Sequence, residues 1–445
     1  MSRRAFRLWS RSRSTLRVRA LATRAALPAI LVAVTVLMIA RVSSAESSIQ
    51  QGIDAYNRSD FLRAMTLLLP AARAGSKEAQ YLVGVMYQGG WGVPQDDVAA
   101  VEWYRRAAEQ DEPSAQANLG SMYRLGQGVQ MDYAEAMKWF RRGAKQGNRY
   151  AQYGIGQLYR LGQGVQADYS EAVKWYVLAA QQGVVEAQFN LGIIYVHGQG
   201  GVPQDYEKAA RWFRRAAEHG LAAGQYELGV MYDRGEHVCQ DDAEAGKWYR
   251  RAAEQGNALA QRRLAFMYEE GRGVPLDRAE AINWFRRSAE QGDDRAQFML
   301  GLRYEHGEGV RQDYVEAMQW YRRAAEQGNG LAQGAIGMMY RDGLGVAQDY
   351  AEAIRWFRRS AEQGNVSGQF GLGIMYERGE GVQQDYVAAY MWYSLAVAND
   401  AFHDQEGLRT NATDFRDALA ARMTPTEVAE GRRRASIWKP KPSAK

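Results

Sequence analysis

Cysteine is almost absent from these 445 residues. Cys239 stands alone, so no disulfide can form within the chain, and stability has to come from packed apolar faces. Histidine is scarce as well, with only His197, His219, His237, His306 and His403. No HExxH helix, GxSxG elbow or glycine loop followed by Lys-Ser/Thr occurs, which excludes the zinc-protease, nucleophile-elbow and P-loop readings. A positive surplus is also missing from the body of the protein, despite a formal net charge of +5. Nine of the 56 basic residues are arginines within 1–45, and six more lie in 431–445. Neither stretch holds an acid, so 41 basic residues face 51 acidic ones in between. Nonspecific nucleic-acid binding is driven by phosphate neutralisation, and an acidic body excludes it.

The arginine-rich start has its own explanation. It precedes the apolar run Ala25 to Ala40 and then Arg41-Val42-Ser43-Ser44-Ala45. A basic region, an apolar core and small residues at −3 and −1 predict a secretory signal cut after Ala45. The 16-residue core is short of the ~20 needed to span a bilayer. Left uncut, residues 25–40 are instead an inner-membrane anchor with the N-terminus held in the cytoplasm by its arginines. Ser2-Arg3-Arg4-Ala5-Phe6 also fits the start of a twin-arginine signal. By any of these routes the remainder is exported, and the expected location is the bacterial periplasm.

What the chain has in abundance is repetition. Tryptophans fall at Trp103, Trp139, Trp175, Trp212, Trp248, Trp284, Trp320, Trp356 and Trp392, spaced 36 apart except for 37 between Trp175 and Trp212. A small residue keeps step from Gly84 to Gly373, with Ala265 in one unit, and a tyrosine follows each three residues later. In residues 296–331, Ala296, Leu300 and Tyr304 make an apolar stripe at helical spacing. His306-Gly307-Glu308-Gly309 breaks that helix. Asp313 and Glu316 predict a capping box, and Ala317, Trp320, Tyr321 and Ala324 line a second helix that Gly328 closes. Such a hairpin buries too little surface alone and must stack on copies of itself. An all-α solenoid of antiparallel helix pairs follows, with the one extra residue bulging at Gly198-Gln199-Gly200-Gly201.

The predicted organisation is a signal or anchor over 1–45, a capping hairpin over 46–78, nine repeats over 79–398, capping helices over 399–438 and a disordered tail over 439–445. In the first cap, Ile49, Ile53 and Tyr56 face Phe61, Met65, Leu68 and Leu69. In the last, Thr424, Pro425 and Glu427 predict a helix start.

The recurring pattern AQxxLGxxYxxGxGVxQDYxEAxxWYRRAAEQG resembles the Sel-one-like repeat, a relative of the tetratricopeptide repeat. The resemblance covers about 80 to 398, and ALAARMTPTEVAE is similar to the C-terminal extension of many bacterial members. It implies a right-handed superhelix that binds other proteins and no cofactor. Bacterial members resembling this chain are often exported scaffolds of envelope signalling, exopolysaccharide production, motility or host interaction. A cysteine-rich branch is associated with β-lactam binding, but its paired cysteines are missing here.

Candidate chemical sites dissolve into structure. His237, Cys239, Asp241 and Asp242 sit in one interhelix loop with Asp241 as expected cap, and no metal is expected. Ser436-Ile437-Trp438-Lys439 matches Ser-x-x-Lys without the companion motifs of a penicillin-binding site. The pairs Asp132/Glu135, Asp168/Glu171 and Asp349/Glu352 read as helix starts rather than acid–base dyads. No catalytic residue is expected.

Paired arginines recur at 105–106, 141–142, 214–215, 250–251, 286–287, 322–323 and 358–359. Glu four residues after the first (Arg105 and Glu109, Arg322 and Glu326) predicts a solvated, compensated ladder, with docking of an acidic partner or a polysaccharide as the alternative. Freely varying positions are the better candidates for binding. Two residues after each Ala-Gln glutamine stand Asn118, Asn190, Glu227, Arg263 and Met299. Nine residues after it stand His197, Arg234, Glu270, His306, Asp342 and Arg378. The two positions are seven apart and share a helix face, the face that lines the concave side of related solenoids. A protein or peptide partner there, and a monomeric chain, are the expectation; unconstrained solvent positions would give the same variation.

Overall fold

The structure, a computed structural model, describes residues 46–236, 239–398 and 406–440, all helices and connecting turns. The signal or anchor segment, His237, Asn399-Asp400, His403 and residues 441–445 of the tail lie outside the described residues. The chain divides into two compact units at Asp205/Tyr206.

In the first unit, α1 (46–57) and α2 (Phe61–Arg73) precede α3 (Lys77–Gly89), α4 (Asp97–Glu109), α5 (Pro113–Leu125), α6 (Tyr133–Lys145), α7 (Arg149–Leu161), α8 (Tyr169–Gln181) and α9 (Val185–His197). Ala55, Ala64, Leu68 and Ala72 close the core of the opening hairpin, and Trp91 stacks on Phe61 with centroids 5.2 Å apart. The extra residue is absorbed as a single 3-10 turn, Gln199–Gly201.

The second unit holds α10 (Tyr206–Glu218), α11 (Ala222–Arg234), α12 (Asp242–Glu254), α13 (Ala258–Glu270), α14 (Arg278–Glu290), α15 (Asp294–His306), α16 (Tyr314–Glu326), α17 (Gly330–Asp342), α18 (Tyr350–Glu362), α19 (Val366–Arg378) and α20 (Tyr386–Ala398). Then come α21 (Glu406–Ala420) and α22 (Pro425–Ile437). Thr424 and Glu427 form the capping box that opens α22, and Trp438 meets Trp392 edge-on at 5.7 Å.

In both units the deepest core residue is the one after the tryptophan. Tyr104, Phe140 and Tyr176 in the first unit, and Phe213, Tyr249, Phe285, Tyr321, Phe357 and Tyr393 in the second, are all but fully buried. Each contributes roughly 1.5–3 kcal/mol through burial. The small residue of the first helix gives that ring its space. A Cβ built on Gly301 would lie 2.6 Å from Tyr321 Cδ1, and one on Gly84 2.7 Å from Tyr104 Cδ1.

Two polar devices recur from repeat to repeat. Nε2 of the glutamine ending a second helix donates to Oε1 of the Ala-Gln glutamine 30 residues back: Gln110 to Gln80 (2.8 Å), Gln146 to Gln116 (2.9 Å), Gln291 to Gln261 (2.7 Å), Gln327 to Gln297 (2.9 Å). The Ala-Gln glutamine is itself buried and donates to the carbonyl of an alanine eight residues earlier, as Gln297 does to Ala289 (2.9 Å). The buried amide thus meets both its hydrogen-bonding needs, accepting within its own repeat and donating across the boundary to the preceding one.

The second device corrects the capping reading. Asp313 accepts from Val315 and Glu316 backbone N–H groups, but Glu316 does not return the bond. The Asp313 N–H already donates to the Tyr304 carbonyl at 2.9 Å, as Asp132 does to Tyr123, Asp168 to Tyr159 and Asp349 to Tyr340. The freed glutamates turn outward instead: Glu135 pairs with Lys138 at 2.9 Å, Glu171 with Lys174 at 2.5 Å, and Glu352 with Arg355. Only the aspartate of each pair serves the helix start.

Candidate functional site

The arginine ladder is part of the packing. Arg105 donates to the Tyr123 hydroxyl at 2.7 Å, Arg214 to Tyr232 at 2.8 Å and Arg322 to Tyr340 at 2.9 Å, 18 residues on in each case. The second arginine lies over its own tryptophan, as Arg106 does over Trp103 at 4.6 Å and Arg323 over Trp320 at 4.4 Å. The expected pairing with Glu four residues on does not form for Arg105 or Arg322 among the described residues. A planar guanidinium gains more from a hydroxyl acceptor and an indole face than from an exposed carboxylate.

The other chemical motifs are similarly accounted for. Asp241 caps α12 by accepting from the Glu244 N–H at 2.9 Å, and Cys239 is exposed. Among the described residues no group of three or more His, Cys, Asp or Glu is placed to hold a metal. Ser436 donates to the Arg433 carbonyl at 2.9 Å, inside the last turn of α22.

The freely varying positions separate into two kinds. His197, Arg234, Glu270, His306, Asp342 and Arg378 are all exposed, each the last residue of its first helix. Four of them pair locally: Arg234 with Glu236 (3.2 Å), Glu270 with Arg272 (3.2 Å), Asp342 with Arg341 (2.7 Å) and Arg378 with Glu380 (3.6 Å). Asn118, Asn190, Glu227, Arg263 and Met299 are half-buried. Asn190 donates to the Tyr153 hydroxyl at 3.4 Å.

Two of the eleven, Arg263 and Met299, come together. They line a cleft of about 630 Å³ on the first helices α13, α15 and α17 of the second unit. That volume lies in the range of small-ligand and peptide pockets. Sequence reasoning missed the other ten lining residues, among them Phe266, Arg295, Phe298 and Leu331. A signal was available in the residue after the Ala-Gln glutamine. It is aromatic at Tyr81, Tyr153, Phe189, Tyr226, Phe298 and Phe370, but is Ala117 in the second repeat and Arg262 and Gly334 in the two repeats flanking Phe298. The cleft opens where two departures, Arg262 and Gly334, flank one retained aromatic, Phe298.

Comparison with known proteins agrees with this architecture. The Sel1 repeat pattern matches nine consecutive stretches: 77–112, 113–148, 149–184, 185–221, 222–257, 258–293, 294–329, 330–365 and 366–400. No curated protein matches the chain. Among solved structures, the chain is similar to c5321, a protective antigen of uropathogenic Escherichia coli strains that displays the SLR fold. Identity is 34%, with 88% of this chain and 91% of that one covered, and the TM-score is 0.58. A Sel1 repeat protein from Oxalobacter formigenes is also 34% identical over 71% of this chain and 94% of that one, with a TM-score of 0.54. With nine matched repeats over most of its length, the chain belongs to the Sel1 repeat family.

Proposed function

We propose that this protein is an exported scaffold or adaptor that holds a protein or peptide partner on the first-helix face of its repeats, in envelope signalling, assembly or regulation. Sel1 repeat proteins are in general protein-interaction scaffolds, and their fold is typically non-catalytic. The observation that carries the reading is the division of labour within each repeat. Glycine, tyrosine and glutamine are committed to packing, and in several repeats so are the arginines, as Arg105, Arg106, Arg322 and Arg323 show. The half-buried first-helix positions change size and charge from one repeat to the next, through Asn190, Glu227, Arg263 and Met299. Variation confined to one face of a fixed scaffold is how a solenoid tunes recognition without loss of fold. The site residues are the eleven at positions two and nine, with Arg263 and Met299 central.

Export rests on the signal-like residues 1–45, with a soluble periplasmic chain if they are cut and an inner-membrane anchor through 25–40 if they are not. No helix among the described residues is long and apolar enough to cross a membrane. Crosslinking of the full-length protein in its native cells, with mass spectrometry of captured partners and of its own N-terminus, tests both halves. A reproducible envelope protein and a chain beginning at Glu46 support the soluble scaffold, and an intact N-terminus supports the anchored one. Recovery of glycan without a protein partner sinks the scaffold reading.

A further inference from the structure

We infer that the cleft on α13, α15 and α17 is the docking site for a short acidic peptide segment carrying one large apolar side chain. The inference deepens the scaffold reading by naming the chemistry of its partner. Three observations on the second unit carry it.

The first is unspent positive charge. Arg262 is committed to Asp293 at 3.2 Å, and Asp294 accepts from the Asn329 amide at 2.9 Å. The other two guanidiniums on the cleft, Arg263 and Arg295, have no ion pair among the described residues. Arg263 Nε is shielded from solvent and has no hydrogen-bond partner there. A buried donor left unmatched costs about 1–3 kcal/mol, and a ligand carboxylate accepting from it removes that cost. In other repeats arginines such as Arg105, Arg214 and Arg322 are taken by tyrosine hydroxyls, and Arg106 and Arg323 lie over indole rings; Arg263 and Arg295 have neither kind of partner among the described residues.

The second is an apolar floor of the right kind. Phe266, Phe298, Met299 and Leu331 line the same cleft and are each half-buried. Arginine, methionine and aromatic residues are the types enriched at the cores of protein interfaces, and an anchor side chain seated among them is the usual source of binding energy.

The third is that the cleft is made by local sequence departures. Arg262-Arg263 replaces the usual aromatic and following residue, and Gly330 and Gly334 occupy α17 where a Cβ would meet Asn365 Nδ2 at 1.9 Å and Ser367 Oγ at 2.3 Å. Glycine there lets Asn365 and Ser367 sit hard against α17. A segment rich in Asp and Glu with one Phe or Leu matches both the free cations and the floor. A basic peptide does not match the free cations, and the net acidic body disfavours a nucleic acid.

Fluorescence anisotropy on the full chain tests this with a defined probe: a labelled decapeptide of alternating Asp and Glu around one Phe. A second peptide with the acids replaced by Asn and Gln, and a third with Phe replaced by Ser, serve as controls. Binding of the acidic Phe peptide is expected, weakened at least tenfold by removal of the acids or of Phe and by R263Q/R295Q. Circular dichroism of the variant checks that the helices persist, and R295Q alone, at an exposed position, is expected to weaken binding severalfold with no change in melting. No binding of the acidic peptide, equal binding of the neutral control, or unchanged affinity of R263Q/R295Q overturns the inference. If a partner crosslinked in cells is captured equally by R263Q/R295Q, the scaffold reading stands and this docking site falls. If cells yield no partner while the acidic peptide still binds through Arg263 and Arg295, the failure belongs to the scaffold reading instead.

Discussion

Gln327 donates to Gln297 across 30 residues of chain, 2.9 Å from amide to amide, and Gln297 passes the interaction on to the Ala289 carbonyl. The Gln297–Ala289 bond crosses the boundary to the preceding repeat, and in a solenoid the boundary terms, not the intrinsic stability of a hairpin, decide cooperativity. Gln297→Leu keeps the volume close, leaves the Ala289 carbonyl to the Gly292 N–H and takes the acceptor from the Gln327 amide. A loss of about 0.5–1.5 kcal/mol per bond removed is expected, read as a lower urea midpoint. Hydrogen exchange should locate the new opening at α14–α16 and leave the first unit unaffected. Uniform loosening of both units would contradict the local role given to the rung.

Arg303 and Glu269 form a two-pronged pair between α15 and α13, with Arg303 Nη2 2.7 Å from Glu269 Oε2. Their side chains retain only 10% and 17% of their exposure. Arg303 also meets the more exposed Glu308 at 3.1 Å, so loss of Glu269 costs less than the ~3–5 kcal/mol of a fully stranded buried charge. Glu269→Leu or Arg303→Met alone should therefore destabilise, whereas the two together should recover most of the loss, because an apolar replacement desolvates nothing charged. The four thermal midpoints of that double-mutant cycle decide the matter.

Much of this architecture is legible in the sequence, because Trp320, Gly301 and Tyr304 recur at one spacing and one spacing admits one stack. The errors come from partners that local reading does not reach. Glu316 looked like half of a capping box, yet the Asp313 N–H belongs to the Tyr304 carbonyl nine residues back. Arg322 looked paired with Glu326 on its own helix, yet it bonds the Tyr340 hydroxyl in the next hairpin. A local carboxylate loses to a more distant group when stacking brings that group into ideal geometry. The cleft was half visible: Arg263 and Met299 vary and were marked, but Arg295 and Phe298 join them only once α13 and α15 lie side by side.

Alkaline pH should weaken the first unit through its buried tyrosines. Burial is the main force pushing the Tyr176 hydroxyl up, to about 12, with Arg160 pulling it partly back. An unfolded tyrosine titrates near 10. A folded-state value above the unfolded one gives stability that is complete below pH ~10 and is lost as pH rises toward 12. Tyr176→Phe removes this proton. The stability advantage of wild type over the variant should be constant from pH 7 to 9.5 and shrink above it, measured by urea midpoints at each pH. A gap that widens with pH would reverse the sign and refute the assignment.

Gly301 sets the closest approach in its repeat. An added Cβ would sit 2.6 Å from Tyr321 Cδ1, 2.7 Å from Cε1 and 3.2 Å from the Ala317 carbonyl. The Tyr321 ring is fully buried and also held by Phe298 at 5.7 Å with planes 34° apart, so it has nowhere to swing. Gly301→Ala should cost about 1–3 kcal/mol through overpacking, more than offsetting the ~1 kcal/mol that alanine gains over glycine in a helix. The preceding repeat shows how the chain accommodates the same methyl. There Ala265 stands in the glycine position, Arg262 replaces the aromatic that corresponds to Phe298, and Phe285 is met edge-on by Phe266 at 87°. With no ring at position 262, Phe285 is free to turn. Phe298→Ala in the Gly301→Ala background should therefore cost less than Phe298→Ala in wild type, a coupling visible in thermal midpoints. Strict additivity would show that the glycine is retained for some reason other than the ring it faces.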